Sequence, residues 1–517
     1  MGKSEIEKLS DNDKNYIKLI HQNRSISWDE RMSMLINKFQ ISERTVRRWI
    51  KKLGFSDHKD IENEQVRNAK LRKYTKKYVL VTWAQNATPV HKPFWDNLLA
   101  YSKYLNSDIG VIQGKYNAVS VKDCWWDENL LEYLDCSRQS IHSYVEILSD
   151  IKVKPTAHNP LNGLEGISGS KTSIVGHPRI HLESVPVLKG HPNKFLLSTG
   201  SCTIKNYTDS LSGATGEFHH VYGAVIIELK DDETFYIRQI TADDDGSFID
   251  LNNKVEKSKV SKIKNCAAYI YGDIHASQVY EPIVKETNKL FSKITPRRVV
   301  LHDLFNGESI NHHEEKDPIA KFHKMESNRH LLKKEIEGVY NFIDSNNLIK
   351  YKPIVVRSNH DVFIEKWIRE FDWKKDLANS KEYMEYTLAS LEGKAEKGVL
   401  AYLLERKYGD DITCLGLDNS FKINGWELGQ HGHLGSNGSR GSIQQFRKLN
   451  TKTITGHIHH PCRKEGSASV GITCHKDLGY NHGPSNWAYS GIILHENEKI
   501  QHIIFSEDNK FTTLLDG

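Results

Sequence analysis

The chain has 517 residues, 38% hydrophobic and 26% charged, enough for two to four domains with the balance of a globular protein. It holds no run of about 18 apolar residues. Met1–Ser10 carries no apolar core, so neither a membrane span nor a secretory leader is expected, and a cytoplasmic location is. The seven cysteines (Cys124, Cys136, Cys202, Cys266, Cys414, Cys462 and Cys474) are scattered and never form C-x-x-C, the usage of reduced thiols. The net charge of +5 is uneven: residues 1–77 carry 19 Lys+Arg against 11 Asp+Glu, or +8, which leaves −3 for the rest. That pattern fits a small anion-seeking module on a near-neutral body, or a solvated helical face.

Residues 11–54 read as three short helices. Asp11–His21 is the first. Ser27-Trp28-Asp29-Glu30 caps a second, with Met32, Leu35, Ile36 and Phe39 at helical spacing. Ser42 caps a third, whose apolar stripe is Val46, Ile50 and Leu53 and which ends before Gly54. Its opposite face carries Arg44, Arg47, Arg48, Lys51 and Lys52. Residues 1–55 thus resemble a helix-turn-helix module, which implies contact with DNA, the third helix in a major groove and its cations on phosphates. Residues 56–77, charged and free of Pro and Gly, read as a helical linker.

Residues 78–265 open as α/β: strand Tyr78–Trp83, helix Lys92–Leu105, strand Ile109–Ile112. From about residue 150 the pattern turns to short β-runs, Lys194–Ser198, Val221–Leu229 and Thr234–Ile240. A middle α/β domain of unassigned role is expected. Gly163–Thr172 fails as a phosphate loop, because Ser170 stands before Lys171-Thr172 and Glu165 where the first Gly is required. Trp83, Gln85, Asn86 and His91, at a strand end, are assigned a structural role.

Residues 266–517 hold the chemistry. Gly272-Asp273-Ile274-His275 follows the apolar run Ala267–Tyr271. His302-Asp303-Leu304-Phe305-Asn306 follows Val299–Leu301, and Ser358-Asn359-His360-Asp361 follows Ile354–Val356. Gln430-His431-Gly432-His433 follows Trp426–Leu428, and Gly456-His457-Ile458-His459 follows Thr453–Thr455. Asp, Asn and His therefore recur just past buried strands, where open α/β sheets gather ligands. A two-metal hydrolase needs such a set, with ions about 3.5–4 Å apart that share a carboxylate. Mixed oxygen and imidazole ligation suits Mn, Fe or Zn better than Mg or Ca. Residues 362–421, between the third and fourth blocks, are expected to form a cap-like insertion with a helical stretch at Leu377–Leu391. Two further strands, Ala488–Leu494 and Ile500–Phe505, close the chain.

In order and content the five blocks resemble the calcineurin-like metallophosphoesterase superfamily, whose signature is Asp-x-His, Gly-Asp-x-x-Asp, Gly-Asn-His-Asp/Glu, a later His and Gly-His-x-His. The resemblance implies a four-layer α/β/β/α sandwich over residues 266–517. It implies that Asp273, His275, Asp303 and His459 bind one divalent ion, and that Asp303, Asn359, His431 and His457 bind a second. Manganese is the first expectation, with Fe, Zn or Mg as alternatives. His360 would be the acid or transition-state stabiliser, with Asn306 beside it. Three positions depart from the pattern. His302 replaces a Gly, Ser358 replaces a Gly, and Asn306 stands where an Asp often orients the catalytic His. His431 is preferred over His433 as the ligand. Arg440, in the loop 435–442, is a candidate phosphate clamp.

Three functions compete. A DNA nuclease is favoured by the basic N-terminal module and by Leu304-Phe305 after the shared Asp, which is similar to the Mre11-type exonuclease branch. A small-molecule phosphodiesterase would need no DNA-docking module. A non-enzymatic DNA-binding regulator would not need the intact ligand set. The overall arrangement is similar to early host-DNA-degrading nucleases of large tailed phages, which would place it in the host cytoplasm. DNA is the expected partner, a membrane is not, and self-association is left open.

Overall fold

The computed structural model describes residues 9–23, 26, 28–54, 73–116, 125–479 and 481–516. Ser27 of the second helix cap, Cys124 and linker residues 56–72 lie outside the described residues. The other six cysteines are free. Among the described residues no helix is long and apolar enough to cross a membrane.

Three helices, Asp11–Gln22, Trp28–Phe39 and Glu43–Lys52, form the N-terminal unit. Ser10 and Ser42 accept the N–H groups of Asp13 and Thr45 at 3.1 and 3.3 Å, satisfying donors that a helix start leaves open. Ile17, Ile20, Met32, Leu35, Val46, Trp49 and Ile50 make its core. Trp49 joins the expected stripe of the third helix, and Leu53 packs only partly against it. Arg31 is buried, donates to the His21 carbonyl at 2.7 Å, and lies 5.0 Å from the ring centre of Trp125. The unit therefore touches the middle of the chain through a cation on an aromatic face.

Three large sheets follow. A five-stranded sheet has the order Phe235–Thr241, Gly223–Leu229, Tyr78–Gln85, Asp108–Gly114, Leu134–Asp135. A six-stranded sheet has the order Thr413–Cys414, Ile354–Val355, Val299–Leu301, Ala268–Ile270, Ser490–Leu494, Ile500–Ile504. Its first four strands are mutually parallel. A ten-stranded sheet runs from Lys422–Ile423 through Lys452–Thr455, Ser467–Ser469 and Cys462–Lys464, then on to His181–Val185, Lys194–Ser198 and Arg138–His142. The junction is antiparallel, with Arg463 opposite Leu182 and Lys464 opposite His181. Hydrogen bonding thus crosses the line at residue 265 between the expected middle and C-terminal domains.

The ten-stranded sheet packs its inner face against both smaller sheets. Ala268, Ile270, Val300 and Ile354 meet Trp426, Leu428, Ile454 and Ala468 in one core. Val79, Val81, Trp83 and Val225 meet Ile147, Ile174, Leu182 and Leu197 in another. Helices Glu281–Lys293, Leu332–Ser345, Val362–Glu370 and Val399–Tyr408 back the six-stranded sheet. Residues 362–421 thus supply core side chains such as Ile364, Trp367 and Leu404, together with the edge strand Thr413–Cys414. On the outer face of the ten-stranded sheet, Val175 and Leu196 are covered by Leu161, Leu164 and Val153 from irregular chain. The protein is mixed α/β with several sheets, and irregular chain covers this face of its middle part.

Gln85, Asn86 and His91 are held in local structure. The Gln85 amide donates to the Asn206 carbonyl at 2.5 Å, Asn86 Oδ1 accepts from Tyr116 N at 2.8 Å, and His91 caps the helix Lys92–Leu105. A stronger lock sits at the sheet junction. Glu465, at the turn after Cys462–Lys464, pairs with Arg179, which is fully buried, and with Arg447. His181 and His219 stand 3.7 and 3.8 Å from the same carboxylate. Burial works to raise the Glu465 pKa, but His181, His219 and Arg447 hold it well below the ordinary value of 4.5. A depressed folded pKa contributes stability above the unfolded value, and that stability is lost as pH falls through the folded one. Glu465→Gln is expected to cost roughly 3 kcal/mol at pH 7 by leaving buried arginine unpaired. It should also flatten the loss of stability below pH 4.5, as urea unfolding across pH will show.

Candidate metal centre

The site forms where the parallel strands of the six-stranded sheet end beside Lys452–Thr455 of the ten-stranded sheet. Past Ala268–Ile270 the backbone stays zipped to the next strand: Ile274 N donates to His302 O at 3.1 Å and His275 N to Asp303 O at 2.7 Å. Ile274 points into the core, which turns its neighbours Asp273 and His275 together toward the cleft. Four site residues hold left-handed backbone: His275 (φ 44°), Asp303 (45°), His457 (71°) and His459 (62°). Asp and His tolerate this region better than most residues, yet each instance stores strain of about 1–3 kcal/mol. Gly456 leaves the space Asp273 needs, since a Cβ there would lie 2.3 Å from Asp273 Oδ1.

Asp273, His275 and Asp303 are completely buried, and His431 and His459 nearly so. Two trios bring ligand atoms within 4.8 Å of one another: His275, Asp303 and His459, and Asp273, Asp303 and His431. Asp303 belongs to both. Asp273, assigned with His275 and His459 by the family resemblance, reaches both groups, because its Oδ2 also lies 3.1 Å from His459 Nε2. His431 Nε2 is 3.3 Å, and His275 Nε2 3.7 Å, from Asp303 Oδ2. Both Asp303 oxygens, Asp273 Oδ1, both His275 nitrogens, His431 Nε2 and Asn359 Oδ1 are buried without a hydrogen-bond partner. Unpaired buried polar atoms are costly, and here they converge. Two carboxylates, an amide oxygen and several imidazoles make a donor set fitted to divalent cations.

The electrostatics agree. Burial would raise the Asp303 pKa, but the surrounding imidazoles, His431 first, hold it well below the carboxylate range. Burial opposes charge on His431, yet Asp303 and Asp273 outweigh it and raise its pKa to about 9. Burial pushes His275 down to about 3, and His302, His433 and His457 down to about 4.

His457 sits half-buried, its ring 5.4 Å from that of His431, and its backbone N–H donates to Asp273 Oδ2 at 2.8 Å. His433 is half-buried too, its ring 5.5 Å from that of His431, and neither it nor His457 belongs to a trio. The His360 ring lies 4.7 Å from that of His275. Its Nδ1 donates to the Asn306 main-chain carbonyl at 2.5 Å, while the Asn306 amide donates to Ser277 Oγ at 3.2 Å. The orienting group is thus the backbone of Asn306 and not its side chain. Asp361, raised to about 7 by burial, accepts Ser358 N at 2.8 Å and holds this turn.

Arg44, Arg48, Lys51 and Lys52 are exposed on the third helix, whereas Arg47 is half-buried and paired with Glu43. Arg440 is exposed, and the next residue, Gly441, donates its N–H to the His433 carbonyl at 3.0 Å. The loop that carries Arg440 is therefore anchored at the cleft. The sequence reading missed two contacts: Ser277 as the partner of Asn306, and Trp487, whose ring lies 4.2 Å from His459. Nothing in the local sequence marks either, because both meet the site through the fold.

The fold and the site together define a mixed α/β protein with a buried Asp/His cluster that can hold metal ions. Comparison with known proteins adds one firm result. The chain belongs to the family of Protein A1 of Escherichia phage T5, to which it is 31% identical over 468 residues, spanning 84% of this chain and 83% of that protein. The relative is consistent with a phage origin. No protein-family model and no solved structure matches the chain.

Gly456→Ala tests the cluster without altering a ligand. The Cβ would collide with Asp273 Oδ1, which has buried neighbours and no slack. Metal affinity measured by calorimetry is expected to fall at least 10-fold, the scale of a disturbed ligand shell.

Proposed function

We propose that this protein is a metal-dependent nuclease that hydrolyses DNA phosphodiester bonds, a dinuclear enzyme of the calcineurin-like metallophosphoesterase type. The observation that carries this reading is the pair of buried trios sharing Asp303, whose oxygens have no hydrogen-bond partner. Divalent ions held there, manganese first, would supply Lewis acidity that polarises a phosphoryl oxygen and activates water at neutral pH.

The protein's own groups do the rest. Asp303 reaches both trios and so sets their spacing. His360 keeps its Nδ1 proton on the Asn306 carbonyl, so Nε2 is the nitrogen free to act. Protonated, Nε2 donates to a non-bridging phosphoryl oxygen or to the leaving oxygen. A carbonyl partner orients the ring without adding the full negative charge that a carboxylate would bring. The exposed cations of helix Glu43–Lys52 and Arg440 beside the cleft supply phosphate contacts for a long polyanion. That cationic face favours DNA over a small phosphodiester. The phage relative agrees with a role in the host cytoplasm.

Purified protein with Mn²⁺ is expected to degrade DNA, read on linear and circular duplexes side by side. Asp303→Ala should abolish cleavage, and His360→Ala should slow it about 10²–10⁴-fold, the usual worth of a general acid. Cleavage of a phosphodiester dye with DNA left intact would sink the nuclease reading in favour of a small-molecule phosphodiesterase. Replacing Arg44, Arg48, Lys51 and Lys52 together by Ala should weaken DNA binding and flatten its salt dependence by a slope of about 3–4, at about 0.9 per phosphate contact. Dye hydrolysis should not change. Equal loss of both activities would assign those helices to structure alone.

A further inference from the structure

His302 occupies the position before the shared carboxylate, between Leu301 at the strand end and Asp303. It is completely buried. Its Nδ1 lies 3.5 Å from His431 Nδ1, and the two rings are tilted at 37° with centres 5.6 Å apart. The other nitrogen of His431, Nε2, faces Asp303 Oδ2 at 3.3 Å and is the atom in the ligand trio. His302 Nε2 has no hydrogen-bond partner. Its ring fits under Gly456, where a Cβ would lie 3.0 Å from His302 Cβ and 3.1 Å from Cγ.

Ligation of an ion through His431 Nε2 would give this contact a direction. A histidine that ligates through Nε2 must keep its proton on Nδ1 and needs an acceptor for it. Such acceptors are ordinarily carboxylates or backbone carbonyls. The atom opposite His431 Nδ1 is instead His302 Nδ1, which as acceptor would carry its own proton on Nε2.

We propose that His302 is a positioning residue for the metal centre: its Nδ1 accepts the Nδ1 proton of His431, holding that ring with Nε2 turned to the ion. The inference rests on the metal-centre reading and goes beyond it, since it assigns a role to a side chain outside both trios. His302 touches neither substrate nor reacting atoms. It acts on ion affinity through His431, and a neutral acceptor does this without adding a third negative charge beside Asp273 and Asp303.

The test uses full-length protein stripped with a chelator and then titrated calorimetrically with Mn²⁺ alone. Thermal unfolding of the ion-free protein is followed in parallel. His302→Asn keeps an acceptor, its Oδ1 standing near the place of Nδ1. His302→Leu keeps bulk and loses the acceptor, and His302→Ala serves if the leucine variant does not fold. Affinity is expected to fall 10- to 100-fold in the leucine or alanine variant, the range for a lost partner of a ligating histidine. The asparagine variant should stay within about 3-fold of the parent on the same scale. Parent-like affinity without an acceptor would overturn the proposal, and so would equal loss in the asparagine and leucine variants, since that would mean packing alone. If the parent protein itself takes up no Mn²⁺, the metal-centre reading falls and the proposal with it.

Discussion

The constraint on which the structure depends is the burial of two carboxylates, Asp273 and Asp303, in one cleft with neither exposed to water. Buried negative charge must be compensated, and histidines do so: His459 and His431 at Asp273, and His431, His360 and His275 at Asp303. His431 is driven toward its charged form by the pair. A proton on His431 and a divalent cation are thus alternative answers to the same local charge. Hydrogen bonds hold the left-handed turns in place: His275 N–H donates to the Asp303 carbonyl, His457 N–H to Asp273 Oδ2, and Ala488 N–H to the His459 carbonyl.

That rigidity comes from a sheet larger than the site needs. The strand that delivers His457 and His459 belongs to a ten-stranded sheet whose far half is built from residues 138–198. The Glu465 network with Arg179 and Arg447 clamps the junction. The middle of the chain therefore supports the cleft from behind, through a continuous hydrogen-bonded layer and a shared core, although it supplies neither ligand trio. Displacement of the Cys462–Ser469 hairpin would pass directly to Gly471, whose carbonyl accepts the Asp273 N–H at 3.0 Å.

Much of this was legible in the residues. Val299–Leu301, Lys194–Ser198 and the helix Lys92–Leu105 appear at the expected positions, and Lys452–Thr455 extends its expected strand by one residue. Short runs of Val, Ile and Leu have few alternatives to a buried strand. The Asp/His blocks that follow were visible for the same reason: polar ligands are conspicuous after apolar strands. Residues 362–421 were harder, because a helical stretch with exposed Leu377 and Leu391 reads like a cap while the helices on either side of it, through Ile364 and Leu404, fill the core. The partner of His360 could not be read either, since a main-chain carbonyl has no residue letter.

By itself the sequence determined which atoms are available: two aspartates, an asparagine and a set of histidines, each placed just beyond a strand by local hydrophobic pattern. It also determined the three N-terminal helices, through caps and periodicity. The tertiary structure alone decided which of those atoms meet. It put Asp303 into both trios, set His302 behind His431, turned the Asn306 amide away to Ser277, and joined the middle strands to the cleft strands at Arg463 and Leu182. Strand formation depends on neighbours a few residues apart, whereas sheet order and cleft geometry depend on contacts between residues hundreds of positions apart, and those are chosen by packing of the whole core.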